Sequence, residues 1–400
     1  MQRFAAAALA GAVLAGVTIP AVAAGASTKG STAASSGSAT VSVVRGGLNN
    51  PRHLTLTSDG LWVAQAGAGG PAGTTNCVTG PSTGGTGNAQ YCVGQTGAVS
   101  LIRHGHIATS VTLPSVIQTD SSEVAGPGAV AFSHGRAAII MQDVLVNSHG
   151  VNALPKPAGK LFGQLLIRSG HRVSAVNIAA YAAAHPQSAS SLGTVPGETA
   201  YDSDPYDVVA YHGGFVVADA AANSLLQVSP SGRIHLLARF PAVTETAPAG
   251  VLGPAPVTVK AQAVPTSIAV GPDGALYVGL LRGVPSVPGT AYIYRVVPGH
   301  QPTIWARGLT AVTAIAFDGH GRLLATEYST GGLLSPPTTP GALVRVSQHG
   351  HSVTTLPVSG LFQPTGVTAG SNGAVYVSNY GGSTATAAHP GEVLKITGLR

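Results

Sequence analysis

Charge is scarce in this sequence: only 8% of its 400 residues are Asp, Glu, Lys or Arg. The alternating charge pairs that support long solvent-facing helices are therefore missing, which argues against a large helical domain. Aromatic residues make up 5%, and Trp and Met occur twice each. The basic excess is 20 Lys and Arg against 14 Asp and Glu. These cations are scattered singly, whereas a nucleic-acid surface needs them clustered. Two cysteines are too few for a disulfide-built scaffold, and for the alternative, a two-thiol metal site, no Cys or His partner follows at zinc-finger spacing. Beyond the first twenty residues no apolar run has the length of a membrane-spanning helix. What is abundant is Gly, with 54 residues, and Pro, with 28, in a chain that is 44% hydrophobic. Turns joining short apolar strands are the composition of an all-β body.

The N-terminus carries an address. Arg3 precedes an uncharged apolar run from Phe4 to Pro20, and Ala21-Val22-Ala23 supplies the small-x-small pattern of a cleavage site. Residues 1–23 therefore read as a secretory signal peptide removed after Ala23; a retained membrane anchor is the alternative. Residues 24–38 are nearly all Gly, Ser, Thr and Ala and read as a flexible linker. In an exported chain the close pair Cys77 and Cys92 reads as one disulfide stapling a Gly-rich excursion. Closing a loop of about 15 residues contributes roughly 3 kcal/mol in the chain-entropy model.

From residue 39 to 400 a strand-turn-strand unit recurs six times: PRHLTLTSDGLWVAQ from Pro51, PGAVAFSHGRAAIIMQ from Pro127, PYDVVAYHGGFVVAD from Pro205, PTSIAVGPDGALYVG from Pro265, VTAIAFDGHGRLLATE from Val312 and PTGVTAGSNGAVYVSN from Pro364. Apolar residues alternate with period two, and Asp-Gly, His-Gly or Asn-Gly marks each hairpin. A third strand follows, as in QLLIRSG and ALVRVSQHG, and then usually a fourth, as in RIHLLARF from Arg233. Such units bury a core only by packing on one another. The fold expected is a six-bladed β-propeller. The last copy lacks a fourth strand, and residues 39–45 supply one, so the N-terminal strand should join the last blade and close the ring. Between the second and third copies, AVNIAAYAAAH reads as helical.

CVTGPSTGG, GQTGAVSLI, AGPGAVAF, DSDPYDVVA, GFVVADAAANSLLQV, VPTSIAVGPDGALYVGLL and PTGVTAGSNGAVYVSN together resemble the ScyD/ScyE family of exported bacterial propellers over about residues 40 to 400. That resemblance implies a six-bladed propeller akin to the NHL and gluconolactonase groups, and it brings no established reaction.

Candidate site residues come from the places where the copies differ. The start of the inner strand and the end of the second strand are expected at the two mouths of the central channel. The first set comprises Asn50, Arg52, His53, Glu123, Asp202, Asp204 and Asp207, of which Arg52, His53, Asp204 and Asp207 are the ligand-binding candidates. The second set is Gln65, Gln142, Asp219, Gly279, Glu327 and Asn379. Oxygen ligands suit calcium, so Asp219, Glu327 and Asn379 are candidate metal ligands, with capping of backbone amides as the alternative role. DSDPYD offers two calcium carboxylates or an acid/base pair on one reading and an Asp-Pro turn on the other. Gluconolactonase-type propellers use a metal in the channel, and this chain lacks a clear set of their ligand motifs. His104, His106, His134, His212, His320, His349 and His351 fall in turns, where other copies have Asp, Asn or Gly. Arg103, Arg168, Arg295, Arg345 and Lys395 recur on the third strand and read as an exposed face. No nucleophile elbow, Walker loop or nucleotide fingerprint occurs.

The sequence thus reads as a secreted, monomeric propeller binding a small molecule, a peptide or an envelope protein through its channel face, with no nucleic acid and no transmembrane segment after cleavage. A calcium-dependent, lactonase-like hydrolase and a purely structural scaffold are the alternatives. Intact-mass spectrometry of the secreted protein should give a mature chain beginning at Ala24; a mass that still includes Met1 would refute cleavage.

Overall fold

The computed structural model describes residues 39–82, 87–145, 147–194, 199–336, 338–382 and 390–399. The expected signal peptide and linker, residues 1–23 and 24–38, lie outside the described residues.

Six antiparallel sheets carry the six repeated units, one to each sheet. The first blade comprises Pro51–Thr57, Gly60–Gln65, Asn88–Arg103 and His106–Gln118, and the second Pro127–Ser133, Arg136–Met141, Gln164–Ser169 and Arg172–Asn177. The third is Pro205–Tyr211, Gly214–Asp219, Ser224–Val228 and Ile234–Arg239; the fourth is Pro265–Val270, Leu276–Leu280, Ala291–Val296 and Thr303–Leu309. The fifth is Val312–Phe317, Leu323–Glu327, Ala342–Val346 and Val353–Thr355. The sixth contains Gly366–Ala369, Val375–Asn379 and Gly391–Thr397, and its outer strand is the N-terminal Thr40–Leu48. Thr40 pairs with Thr397 and Leu48 with Gly391, so the expected closure by the N-terminal strand is observed.

The inner strands contact one another in chain order, and the sixth returns to the first. That closed ring makes the molecule a β-propeller, in agreement with the count of six units. The core lies between blades, as the period-two alternation requires. Leu225, Val216 and Phe240 of the third blade pack with Ile268, Val278 and Tyr294 of the fourth, and Ile293 of the fourth packs with Leu323 and Val344 of the fifth. Neighbouring seams repeat the arrangement.

A second set of contacts joins the inner strands directly. In all of the first five blades a register shift follows the first inner residue, so the second residue sits on a bulge and leaves the pleat. In the last three blades that residue is Thr. Thr266 donates to the carbonyl of Val312 at 2.7 Å, Thr313 to Pro364 at 2.7 Å and Thr365 to Pro51 at 2.6 Å. Each hydroxyl therefore latches its blade to the first inner residue of the next. In the first three blades the position holds Arg52, Gly128 and Tyr206. A Cβ on Gly128 would lie 2.5 Å from the Tyr206 carbonyl oxygen, so no larger residue fits there.

Several elements of the described residues lie outside the repeat. Between the second and third strands of the first blade, Cys77–Pro81 pairs with the start of Asn88–Arg103, and the bonded Cys77 and Cys92 face each other across that ladder. AVNIAAYAAAH is split by the structure. Its start finishes the outer strand Arg172–Asn177, and Asn177 then caps the helix Ile178–Ala184 by accepting from the Ala180 amide at 2.8 Å. A hairpin of Val243–Ala247 and Val257–Ala261 is held to the fourth blade by the buried ion pair Arg282–Glu245, at 2.6 Å. No helix of the described residues is long and apolar enough to cross a membrane.

Several turn histidines sit where the sequence places them, although His106 opens the strand His106–Gln118, and on the third strand Arg345 and Lys395 are half-buried rather than exposed. His104, His134 and His212 take left-handed backbone at hairpin positions. Arg103 and Arg295 pair with Asp59 and Asp273 of their own blade's first hairpin, at 3.5 and 2.8 Å.

Replacing Thr365 by Val keeps the shape but removes the latch across the closing seam. A loss of about 1–2 kcal/mol is expected, the magnitude for one hydrogen bond to a buried carbonyl, read as a lower urea midpoint with an unchanged slope. An unaltered midpoint would show that the latch carries no weight.

Candidate functional site

Antiparallel pairing corrects one expectation. Pro51 lies opposite Gln65, Pro205 opposite Asp219 and Val312 opposite Glu327. The start of the inner strand and the end of the second strand therefore occupy the same end of each blade, because a hairpin folds its two ends together. Both sets of candidates converge on one mouth of the channel.

At that mouth is a partly open cavity. All six blades reach it: Arg52 from the first, Gln142 from the second, Tyr206 from the third, Leu281 from the fourth, Tyr328 from the fifth and Gly382 from the sixth. A wall drawn from every blade places the cavity on the ring axis. A further wall comes from Tyr91 of the first blade's excursion, Val116 of its fourth strand and Val124 of the segment entering the second blade. The Cys77–Cys92 bond is next to Tyr91, whose hydroxyl donates to the Pro81 carbonyl at 2.6 Å, so the disulfide holds one side of the cavity.

Arg52 is buried on its bulge and donates to the carbonyls of Gly381 at 2.6 Å and Val124 at 2.8 Å, tying the last blade to the segment entering the second. Its Nε has no partner. His53 is not among the residues lining this cavity and sits 3.7 Å from Asp207, with its ring edge-on to Tyr206. Burial pushes the His53 pKa down, and Asp207 offsets this only in part. Burial likewise pushes the Asp207 carboxyl up against the pull of His53. In both groups burial works against the Coulombic attraction between them. Asp207 also accepts from the backbone amides of Val208 and Ile268, both at 2.7 Å.

Asp204 lines the cavity and accepts from the Asp143 amide at 3.2 Å. Burial raises its pKa to about 7, with the neighbouring Asp219 adding to the rise and Arg52 opposing it. Asp143, which the sequence did not single out, is also buried in the wall, and burial lifts its carboxyl well above the usual range. Within DSDPYD, Asp202 serves the turn by accepting from the Thr199 amide at 2.9 Å.

Asp219, Glu327 and Asn379 are engaged in their own blades. Asp219 accepts from the Asp204 amide at 2.8 Å and the Ser203 hydroxyl at 2.6 Å. Glu327 accepts from the Thr310 amide at 2.8 Å, and Asn379 from the Phe362 amide at 2.8 Å. Gln65 does the same for Asn49 at 3.0 Å. This is a repeated cap, in which the end of the second strand satisfies a peptide N–H in the turn entering the inner strand. In the fourth blade Gly279 has no side chain, and Asn223 of the third blade accepts from Val264 instead, at 2.9 Å. These placements fit amide capping, and among the described residues no three His, Cys, Asp or Glu side chains group as a metal site.

Tyr206 and Tyr328, like Asp143, are cavity residues that sequence reasoning missed. Tyr206 was visible as the departure from Thr at the second inner position. Tyr328 lies one residue past the second strand, where no repeat pattern marks it.

No family model matches the chain, and no curated protein matches it in sequence. Solved structures do match in shape. A streptogramin B lyase is 12% identical, covering 91% of this chain and 98% of its own, with a TM-score of 0.46. A virginiamycin B lyase from Staphylococcus aureus is 11% identical, covering 89% and 88%, with a TM-score of 0.42. A PQQ-bound aldose sugar dehydrogenase from Streptomyces coelicolor is 11% identical, covering 90% and 98%, with a TM-score of 0.47. At such identities and scores no activity passes from them to this chain.

The raised carboxyls fix the sign of a pH effect. Burial brings Asp204 and Glu327 to about 7 and Asp219 to about 6, so the folded chain keeps protons that the unfolded chain releases near pH 4. Stability should therefore fall as pH rises from 4 to 7. His53 acts oppositely, since below about pH 6.5 the unfolded chain binds a proton that the folded site disfavours. Glu327→Gln keeps the acceptor for Thr310 and should recover on the order of 2 kcal/mol at pH 8 relative to pH 5, at 1.36 kcal/mol per pKa unit. Equal pH profiles for both proteins in chemical denaturation would contradict this assignment.

Proposed function

We propose that this chain is an exported propeller of the ScyD/ScyE type that binds a small molecule in the axial cavity. The observation that carries the reading is that the cavity is walled where the repeat breaks. Arg52 and Tyr206 replace the latching Thr on two bulges and turn toward the cavity, and Asp143 and Asp204 add buried polar groups. A concave, largely apolar pocket with a few convergent polar groups is the usual form of a small-molecule site. The disulfide supports an oxidising location, as do the leader and linker composition. A calcium-dependent hydrolase lacks comparable support, because Asp219, Glu327 and Asn379 already cap backbone amides.

Phenol serves as a probe of the cavity. Saturation-transfer NMR should show phenol bound to the native protein. The signal should fall at least about fivefold in Leu281→Trp, which fills the wall, with folding verified by circular dichroism. Equal signals from both proteins would place phenol elsewhere and overturn the reading.

A further inference from the structure

The first hairpins of the fourth and sixth blades are one turn built twice. GPDGALY from Gly271 aligns with GSNGAVY from Gly370, so Asn372 stands where the fourth blade has Asp273. Their hydrogen bonds agree one for one. Gly271 donates to the Ala275 carbonyl and Gly370 to that of Ala374, both at 2.8 Å, while Gly274 donates back to Gly271 at 2.9 Å and Gly373 to Gly370 at 3.0 Å. The side chain in the turn accepts from the amide two residues on, Asp273 from Ala275 at 3.2 Å and Asn372 from Ala374 at 3.1 Å. Across the sheet Tyr277 lies opposite Arg295, and Tyr376 opposite Lys395.

In the fourth blade this geometry holds an ion pair. Arg295 places Nε and Nη2 each 2.8 Å from Asp273 Oδ2, and the Tyr277 hydroxyl donates to the same oxygen at 3.2 Å. The sixth blade has a cation and a tyrosine at the matching positions, with a neutral amide in place of the acid. None of the described ion pairs includes Lys395.

Asn372 and Gly373 form the one Asn-Gly step of the sequence, and both are exposed. Glycine has no Cβ, so its amide nitrogen is open to close approach. That nitrogen can attack the neighbouring carboxamide: the Gly373 nitrogen bonds to Asn372 Cγ and gives up its proton, the Cγ–Nδ2 bond breaks, and ammonia leaves with that proton, giving a cyclic imide. Ala374 N–H already donates to Oδ1, the oxygen that gathers negative charge during the attack. Water then adds to Cγ, the bond from Cγ to the Gly373 nitrogen breaks, and the peptide N–H returns beside a new carboxylate. Opening at the main-chain carbonyl instead adds a carbon to the backbone and disrupts the turn's hydrogen bonds, so the native hairpin favours the first product. Gly373 N–H is engaged with Gly370, so the attack waits for that bond to open and is slower than in an unfolded chain.

We propose that Asn372–Gly373 is a self-modifying site, where hydrolytic deamidation supplies the acid that pairs with Lys395. Water is the only co-reactant. Lys395 lies in Gly391–Thr397, opposite Ser42 of the N-terminal strand, so the new pair forms on the strand that closes the ring.

The test holds the mature protein folded in mildly alkaline buffer and follows it by peptide mass spectrometry, with electron-transfer fragmentation separating aspartyl from isoaspartyl products. Asn372 should deamidate at least about tenfold faster than Asn147, which is exposed and precedes Ser. The aspartyl share should exceed that from the urea-unfolded chain. In Asn372→Asp, which carries the product, the new carboxyl should titrate by NMR below the ordinary aspartate value of about 3.9. Adding Lys395→Met should move it up toward that value, and Lys395→Gln gives the same comparison if the Met variant does not fold. Deamidation at Asn372 no faster than at Asn147 overturns the modification site. An aspartyl share no larger than in the unfolded chain, or a carboxyl that titrates alike with and without Lys395, overturns the pairing.

Discussion

Every blade must turn its chain sharply into the inner strand, and the peptide groups at that turn lie beyond the reach of the sheet ladder. The constraint is visible in the backbone. Asn50, Val264, Ala311 and Gln363, each preceding an inner strand, take positive φ between 44° and 53°. Such left-handed backbone costs on the order of 1–3 kcal/mol for a non-glycine residue and persists only where the surroundings hold it. They do so twice over. A carbonyl in the turn accepts from the residue just past the second strand, as Ala66 to Asn50, Leu281 to Val264 and Tyr328 to Ala311, all at 2.9 Å. The side chain at the end of the second strand then caps an amide of the turn. Candidate metal ligands, bulged second residues and the cavity all follow from how each blade meets this one requirement.

Much of the fold was legible because its determinants are local. Period-two alternation and Gly-bearing hairpins act over fewer than about ten residues, so the six units could be read in order. The closing strand at residues 39–45 was legible for a different reason: an unpaired edge in the last unit demanded a partner, and only one apolar segment remained. Helical composition at AVNIAAYAAAH was also correct, but Ala175–Asn177 belong to a strand, since the ladder with Gln164–Ser169 overrides local propensity there.

The site was less legible. Asp219, Glu327 and Asn379 advertise oxygen, yet their amide donors lie 15 to 17 residues upstream, a distance no spacing rule captures. Arg52 and Tyr206 sit on bulges, where alternation no longer tells which way a side chain points. Placing the two candidate sets at opposite mouths was an error of geometry, since a hairpin brings its ends together. The useful signal was comparative: Arg52, Gly128 and Tyr206 stand where the other copies have Thr, and half of the ring thereby departs from the pattern that the other half keeps.

The pairing of Thr40–Leu48 with Gly391–Thr397 also sets an order of events. A ribosome delivers the chain N-terminus first, so the strand that completes the ring is made long before its partner, Gly391–Thr397. Until the final strand arrives, the first has an open edge and nothing native to pair with. Five blades can form in sequence from contacts within and between neighbours, whereas the sixth must wait for a loop closure spanning nearly the whole described chain. The early strand is nine residues long, and its Val41 and Val43 remain exposed even in the finished fold. During that interval it is the segment most open to mispairing with another copy, and charge at Arg45 is its nearest defence.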